Sequence, residues 1–79
     1  MQPRLRVALV GAGRWGRVHA RHLARRDDVA LVAICDRDLP RAEATARPVP
    51  LCAAVADVDG LPDGLDGVVV AASSEAHLE

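Results

Sequence analysis

The chain has 79 residues, a formal net charge of −1 and 51% hydrophobic residues, which bounds it to one domain burying roughly 60% of its unfolded surface. The near-neutral balance argues against a dedicated nucleic-acid binder, and no apolar run approaches the roughly 18 residues of a membrane span. Two cysteines, Cys35 and Cys52, are too few for a disulfide framework and lack metal-ligand spacing.

Residues 5–10 read as a strand, a nearly continuous apolar run of the kind buried on both faces of a parallel sheet. Gly-Ala-Gly-Arg interrupts that run before a signal-peptide core is complete, so a reducing cytoplasm is the expected compartment. Gly11, Gly13 and Gly16 then open a helix expected to run to about residue 26. Helical geometry puts Gly16, His19, Ala20 and Leu23 toward a sheet and Arg14, Arg17, Arg21 and Arg25 toward water. His19 is therefore expected as a satisfied core histidine. Residues 29–35 form a second apolar strand. A loop over residues 36–40 leads into a short Ala/Arg/Glu helix that ends before Pro48, because a residue preceding proline avoids helical backbone. Residues 50–53 are expected as a third strand, 54–59 as a weak helix, 60–67 as a turn and 68–72 as a fourth strand. The acids Asp57, Asp59, Asp63 and Asp66 match no calcium loop and are read as solvating that turn.

The alternation predicts an α/β, Rossmann-like parallel sheet with crossover helices. Ala and Val supply 26 residues while Phe and Tyr are absent and Trp15 is the only aromatic, a composition suited to close strand–helix packing. Residues 1–26 hold seven Arg and no acid, and residues 57–79 hold six acids and no base. Because the arginines fall on one helical face, they are read as a solvated stripe. The pattern stops straight after a buried-type strand. Four strands are present, and the sheet is expected to be incomplete on its C-terminal side.

The constellation Gly11-Ala12-Gly13-Arg14-Trp15-Gly16 is a G-x-G-x-x-G between a strand and a helix. Gly11 allows the tight turn, Gly13 lets the backbone approach a diphosphate, and Gly16 lets the helix press on the sheet. Free N–H groups and the positive helix end favour a bound diphosphate. Alone, the motif also describes an empty β–α turn. Asp36, which ends the second strand 20 residues beyond Gly16, sharpens the reading, since its carboxylate can accept the adenosine ribose hydroxyls. That carboxylate repels a 2′-phosphate and points to NAD, whereas Arg37 could pair with such a phosphate and keeps NADP open. Arg14 fits either the diphosphate or the arginine stripe. Trp15 fits either a cover over the cofactor or packing on a neighbouring loop.

The run Arg6-Val-Ala-Leu-Val-Gly-Ala-Gly-Arg-Trp-Gly-Arg-Val-His19, followed by Leu31-Val-Ala-Ile-Cys-Asp36, resembles the N-terminal domain of the Gfo/Idh/MocA oxidoreductases. Arg41-Ala-Glu43 resembles that family's second-helix opening. Val68-Val-Val-Ala-Ala-Ser-Ser-Glu-Ala-His77 resembles its segment after strand four, where Ala72 and Ser73 replace the usual Thr-Pro. The resemblance implies that Ala72 and Ser73 shape the pocket near the nicotinamide ribose and that His77 lines the cofactor pocket; His77 alternatively faces solvent from a helix start.

The same resemblance implies an NAD(P)-dependent enzyme acting on a sugar, cyclitol or related carbonyl or alcohol substrate. It also implies a Glu-Lys-Pro motif on a following strand, a separate substrate domain and a homo-oligomer. All ten basic residues of this chain are arginine, so the proton-handling lysine must come from elsewhere. Residues 1–79 are thus expected to be the cofactor-binding fragment of a longer, full-length enzyme and to be inactive alone. The alternative is a stand-alone nucleotide-binding or sensory module.

Overall fold

A computed structural model describes residues 4–71. Strands β1 (Leu5–Val10) and β2 (Val29–Cys35) form the middle of a four-stranded sheet; β3 (Ala53–Val55) lies outside β2 and β4 (Gly67–Val70) outside β1. All three pairings are parallel, with a register irregularity between Val7 and Ala8. The reason for the centre lies in composition. Parallel strands covered on both faces need apolar side chains at nearly every position. Val7, Ala8, Leu9, Leu31, Ala33, Ile34 and Cys35 are all buried, and Leu9 and Ile34 are the largest side chains fully removed from water.

Helix α1 (Arg14–Ala24) follows β1, and α2 (Leu39–Ala46) follows β2. Gly16 and Ala20 of α1, and Ala42, Thr45 and Ala46 of α2, are its buried residues. Small side chains let both helix axes approach the sheet closely. Asp38 caps α2 through its side chain, Pro40 occupies the first turn, and Thr45 Oγ1 donates to the Arg41 carbonyl at 3.0 Å. A proline there costs little, because the N–H it lacks would have had no intrahelical partner. The helix stops before Pro48, as expected.

Five boundaries differ from the expectation, the first being that α2 starts at Leu39, inside the loop expected over residues 36–40, because Asp38 caps it there. The third strand is Ala53–Val55, not residues 50–53, because Pro48 and Pro50 cannot donate to a ladder and Leu51 turns through φ 58°. Residues 54–59 do not form a helix. Ala54 and Val55 pair with β2, and one 3₁₀ turn, Val58–Gly60, follows, capped by Asp57 Oδ1 accepting from Asp59 N at 2.9 Å. A side chain that mimics a backbone turn competes with helix continuation. Helix α1 ends at Ala24, with Arg25 N and Arg26 N closing on the His22 and Leu23 carbonyls. Strand β4 begins one residue earlier than expected, at Gly67, and ends at Val70; Ala71 N still donates to the Val10 carbonyl at 2.8 Å.

The acid-rich turn is tied to the sheet through one arginine. Asp66 Oδ2 accepts from Arg6 N at 2.7 Å, and the Arg6 guanidinium donates to the carbonyls of Asp63 and Gly64. These contacts place β4 beside β1. On β4, Val68 and Val70 remain exposed. Among the described residues, no helix is long and apolar enough to cross a membrane.

Candidate functional site

The first strand delivers the chain to a turn at the C-terminal ends of the central strands. Gly11 takes φ 104°, a backbone region that side chains other than glycine's rarely occupy, and its N–H donates to the Cys35 carbonyl at 2.8 Å. A Cβ on Gly11 would also run into the Ala71 carbonyl oxygen, and one on Gly16 would run into the Gly11 carbonyl. Both glycines are therefore demanded by the protein's own packing.

Gly13 is different. It sits at the α1 N-cap with extended backbone (φ −76°, ψ −157°) that any residue can adopt. A Cβ built there would meet nothing closer than Nη1 of Arg41, at 4.0 Å. Folding does not require a glycine at this point. Absence of a side chain keeps open the space in front of the helix terminus, where the first N–H groups of α1 have no intrahelical partner. Arg17 N, donating to the Gly13 carbonyl at 2.9 Å, closes the first helical turn behind them.

Asp36 stands on the opposite side of the turn, half-buried. Its Oδ2 accepts from Ala12 N at 2.8 Å and its Oδ1 from Asp38 N at 2.8 Å. Each carboxylate oxygen keeps a second lone pair, so the group can still accept hydroxyl donors. One carboxylate thus locks the glycine turn to the β2–α2 loop. Beneath it, the Cys35 thiol is pushed up, first by burial and then by the Asp57 and Asp36 carboxylates.

Arg14 and Trp15 begin α1 and are both exposed, with Trp15 49% accessible. Trp15 therefore does not pack into the core. The arginine stripe of Arg14, Arg17, Arg21 and Arg25 faces water as expected. His19 does not face the sheet. It is exposed, because the buried stripe of α1 is only as wide as Gly16 and Ala20, with Leu23 half-buried beside them. Arg37 is exposed. Ala72, Ser73 and His77 lie outside the described residues. Among the described residues, no group of three or more His, Cys, Asp or Glu side chains converges on a point where a metal ion could sit.

Sequence reading overlooked one member of this neighbourhood. Arg41, in the first turn of α2, carries its guanidinium to the glycine turn while Nη2 lies 3.8 Å from Asp38 Oδ2. The sequence signal was the Asp38-x-x-Arg41 spacing, which places acid and base one helical turn apart.

Residues 5–79 match the model of the Gfo/Idh/MocA oxidoreductase family, specifically its NAD-binding Rossmann fold. The chain belongs to this family. It is 40% identical over 80 residues to an inositol 2-dehydrogenase of an Arthrobacter species, an alignment covering 98% of this chain and 24% of that relative. Its fold superposes on a myo-inositol dehydrogenase of Corynebacterium glutamicum with TM-score 0.82 and 38% identity, over 94% of this chain and 22% of the other. A myo-inositol dehydrogenase of Lactobacillus casei, solved with NAD(H) and myo-inositol, gives TM-score 0.76 and 33% identity over 94% of this chain and 23% of that one. The chain therefore spans about a quarter of the length of such relatives. The NAD-binding Rossmann assignment agrees with the parallel sheet, the glycine turn and the acid that follows β2.

Proposed function

We propose that this chain is the cofactor-holding part of an NAD-dependent oxidoreductase that interconverts an alcohol and a carbonyl on a cyclitol or sugar. The observation that carries the reading is Gly13. Gly11 and Gly16 are explained by packing, whereas Gly13 faces open space, and approach of a ligand is the remaining use for a missing side chain there. In this reading the backbone N–H groups at the start of α1, from Arg14 and Trp15, hold the diphosphate, and Asp36 accepts the adenosine ribose hydroxyls. Ala12 and Gly13 line the floor, and Arg37 borders the adenosine. Ala72, Ser73 and His77 are assigned to the nicotinamide end through the family resemblance.

Bound nicotinamide supplies the hydride chemistry; these residues bind and orient it. The chain has no lysine, so acid–base work at the substrate belongs to the rest of a longer protein, together with the substrate domain and the homo-oligomer contacts. Relatives about four times as long support that division. The family's inositol 2-dehydrogenases support a polyol as substrate. Two free cysteines fit a reducing cytoplasm.

The test is Gly13→Ala in the full-length protein, with NADH titrated by nicotinamide fluorescence and NAD reduction followed with myo-inositol and related polyols. The apo melting temperature should stay within about 2 °C of wild type, since the added methyl enters open space, while NADH affinity falls roughly tenfold or more. Wild-type NADH affinity in that variant would refute a diphosphate against Gly13. A wild-type protein that binds NADH but oxidises no polyol would leave a nucleotide-sensing module.

A further inference from the structure

A groove of about 420 Å³ lies between α1 and the second half of α2, and no residue of the glycine turn lines it. Both helices are seated on one sheet, so the strands beneath them set their separation. The residues that α1 and α2 turn toward the gap include Ala20, Ala24 and Ala44, which are too small to fill it. Pro48 and Val49, just beyond α2, extend the apolar lining. Thr45 Oγ1 is already engaged with the Arg41 carbonyl at 3.0 Å. What remains is charged: Arg17, Arg21 and Arg25, with no acid beside them in the lining. The groove has the size of a small-molecule site, for which roughly 300–1,000 Å³ is usual.

The three arginines recur every fourth residue, so they stand one above another on α1. Like charges one turn apart repel, and α1 has no acid in its first turn to offset them. Helix polarity explains two of the three. Arg21 lies in the last turn and Arg25 is the C-cap, where positive charge meets the negative end of the helix. It does not explain Arg17, which stands near the positive end. The two ion pairs among the described residues, Arg26–Asp28 and Arg41–Asp38, leave all three arginines out. A row of unneutralised guanidiniums beside an apolar lining complements an anion that carries an apolar body.

We propose that this groove binds a soluble amphipathic anion, a phosphate monoester or carboxylate on a short apolar body. Arg21, with Arg17 or Arg25, holds the charged group, and the alanines and Val49 receive the body. The proposal stands apart from the nucleotide reading above. A guanidinium fork matches either oxyanion through two parallel N–H donors. An anion seated there relieves the repulsion along the row, and its body removes the apolar lining from water. A membrane surface fits less well. Helices that lie on a bilayer bury protruding bulky side chains, whereas here the apolar lining is recessed between two helices. None of the exposed large hydrophobics of the described residues belongs to it.

The experiment titrates octyl phosphate, below the concentration at which it forms micelles, into the full-length protein by isothermal titration calorimetry. It is run with and without saturating NADH, with octanol as the neutral control and phosphatidylglycerol vesicles as a separate arm. One site should fill whether or not NADH is present, and octanol should bind about tenfold more weakly. Arg21→Gln should weaken octyl phosphate roughly threefold to fivefold, the size of one screened charge pair, and added salt should shrink that difference. Ala44→Leu alters an exposed position, keeps every charge and fills the groove; it should weaken binding at least as much, and it supplies the same reading if Arg21→Gln melts early. Both variants should bind NADH as the wild type does. No binding of octyl phosphate, or binding that both variants leave unchanged, would overturn the proposal. Competition by NADH overturns it too, because the anion then sits at the glycine turn. Vesicle binding that depends on Arg21, without binding of octyl phosphate, assigns the row to a membrane and refutes the soluble ligand.

Discussion

Asp36 is asked to do two jobs, and replacing it by Ala or by Asn separates them. Its first job is structural. Ala12 is fully buried, and its N–H donates to Asp36 Oδ2 at 2.8 Å. Removing the acceptor in Asp36→Ala leaves that donor unpaired, at a cost of about 1–3 kcal/mol. The second bond, from Asp38 N, lies at the surface, where water replaces the lost acceptor. Its loss adds under ~1 kcal/mol. A total near ~2 kcal/mol corresponds to a fall of several degrees in melting temperature. Asp36→Asn retains one acceptor oxygen, which can turn toward the buried Ala12 N–H, so its apo melting temperature should fall by less than half as much.

The second job, the one proposed above, is ligand binding, and there the order changes. The neutral amide presents hydrogens where the ribose hydroxyls need lone pairs, so both variants should bind NADH roughly tenfold more weakly, the loss expected for one charged hydrogen bond. Differential scanning calorimetry of the apo full-length protein and NADH fluorescence titration read the two effects independently. If Asp36→Ala melts with the wild type, the carboxylate does not hold the glycine turn. If Asp36→Asn binds NADH like the wild type, Asp36 is a structural residue and the ribose is held elsewhere.

Two further outcomes follow from packing and burial. Gly16→Ala drives a methyl into the Gly11 carbonyl and should destabilise the apo domain by about 1–3 kcal/mol through overpacking; the contrast with a well-tolerated Gly13→Ala, measured by thermal melts, checks the separate roles given to the two glycines. Burial pushes the Cys52 thiol from an ordinary 9.0 up to about 11, so alkylation of Cys52 at pH 8 should be slow and should accelerate toward pH 11, as followed by peptide mass spectrometry. Because the folded protein keeps that proton where the unfolded chain releases it, this group's contribution to stability is present below pH 9 and is lost as pH rises from 9 to 11. A rate at pH 8 equal to that of an unfolded peptide would show the thiol to be unburied.

Much of the fold was legible because its signals are local. An apolar strand followed by a glycine turn, a small-faced helix and a second apolar strand ending in Asp36 leaves few arrangements other than a parallel β-α-β unit. The third strand was misplaced because three residues, Ala53–Val55, carry too little periodicity to outweigh neighbouring prolines. His19 was misjudged for a related reason. Helical phase puts it only 60° from Gly16 on an ideal helical wheel, but how wide a stripe the sheet covers is set by the neighbours of α1 and not by its own sequence.

The sequence by itself determined the dinucleotide-binding Rossmann class, the positions of the three glycines and the acid that follows β2, since each depends on backbone freedom or spacing within one continuous unit. Tertiary structure decided which of the glycines the protein's own packing requires. Gly11 and Gly16 are required by the carbonyls of Ala71 and Gly11, one of them 60 residues away along the chain, whereas Gly13 faces open space. Arg41 reaches the glycine turn only because α2 packs beside α1 on the same sheet. Contacts between residues distant in sequence have no local signature, and that is why the charge neighbourhood of Asp38 and Arg41 emerged only once the chain was folded.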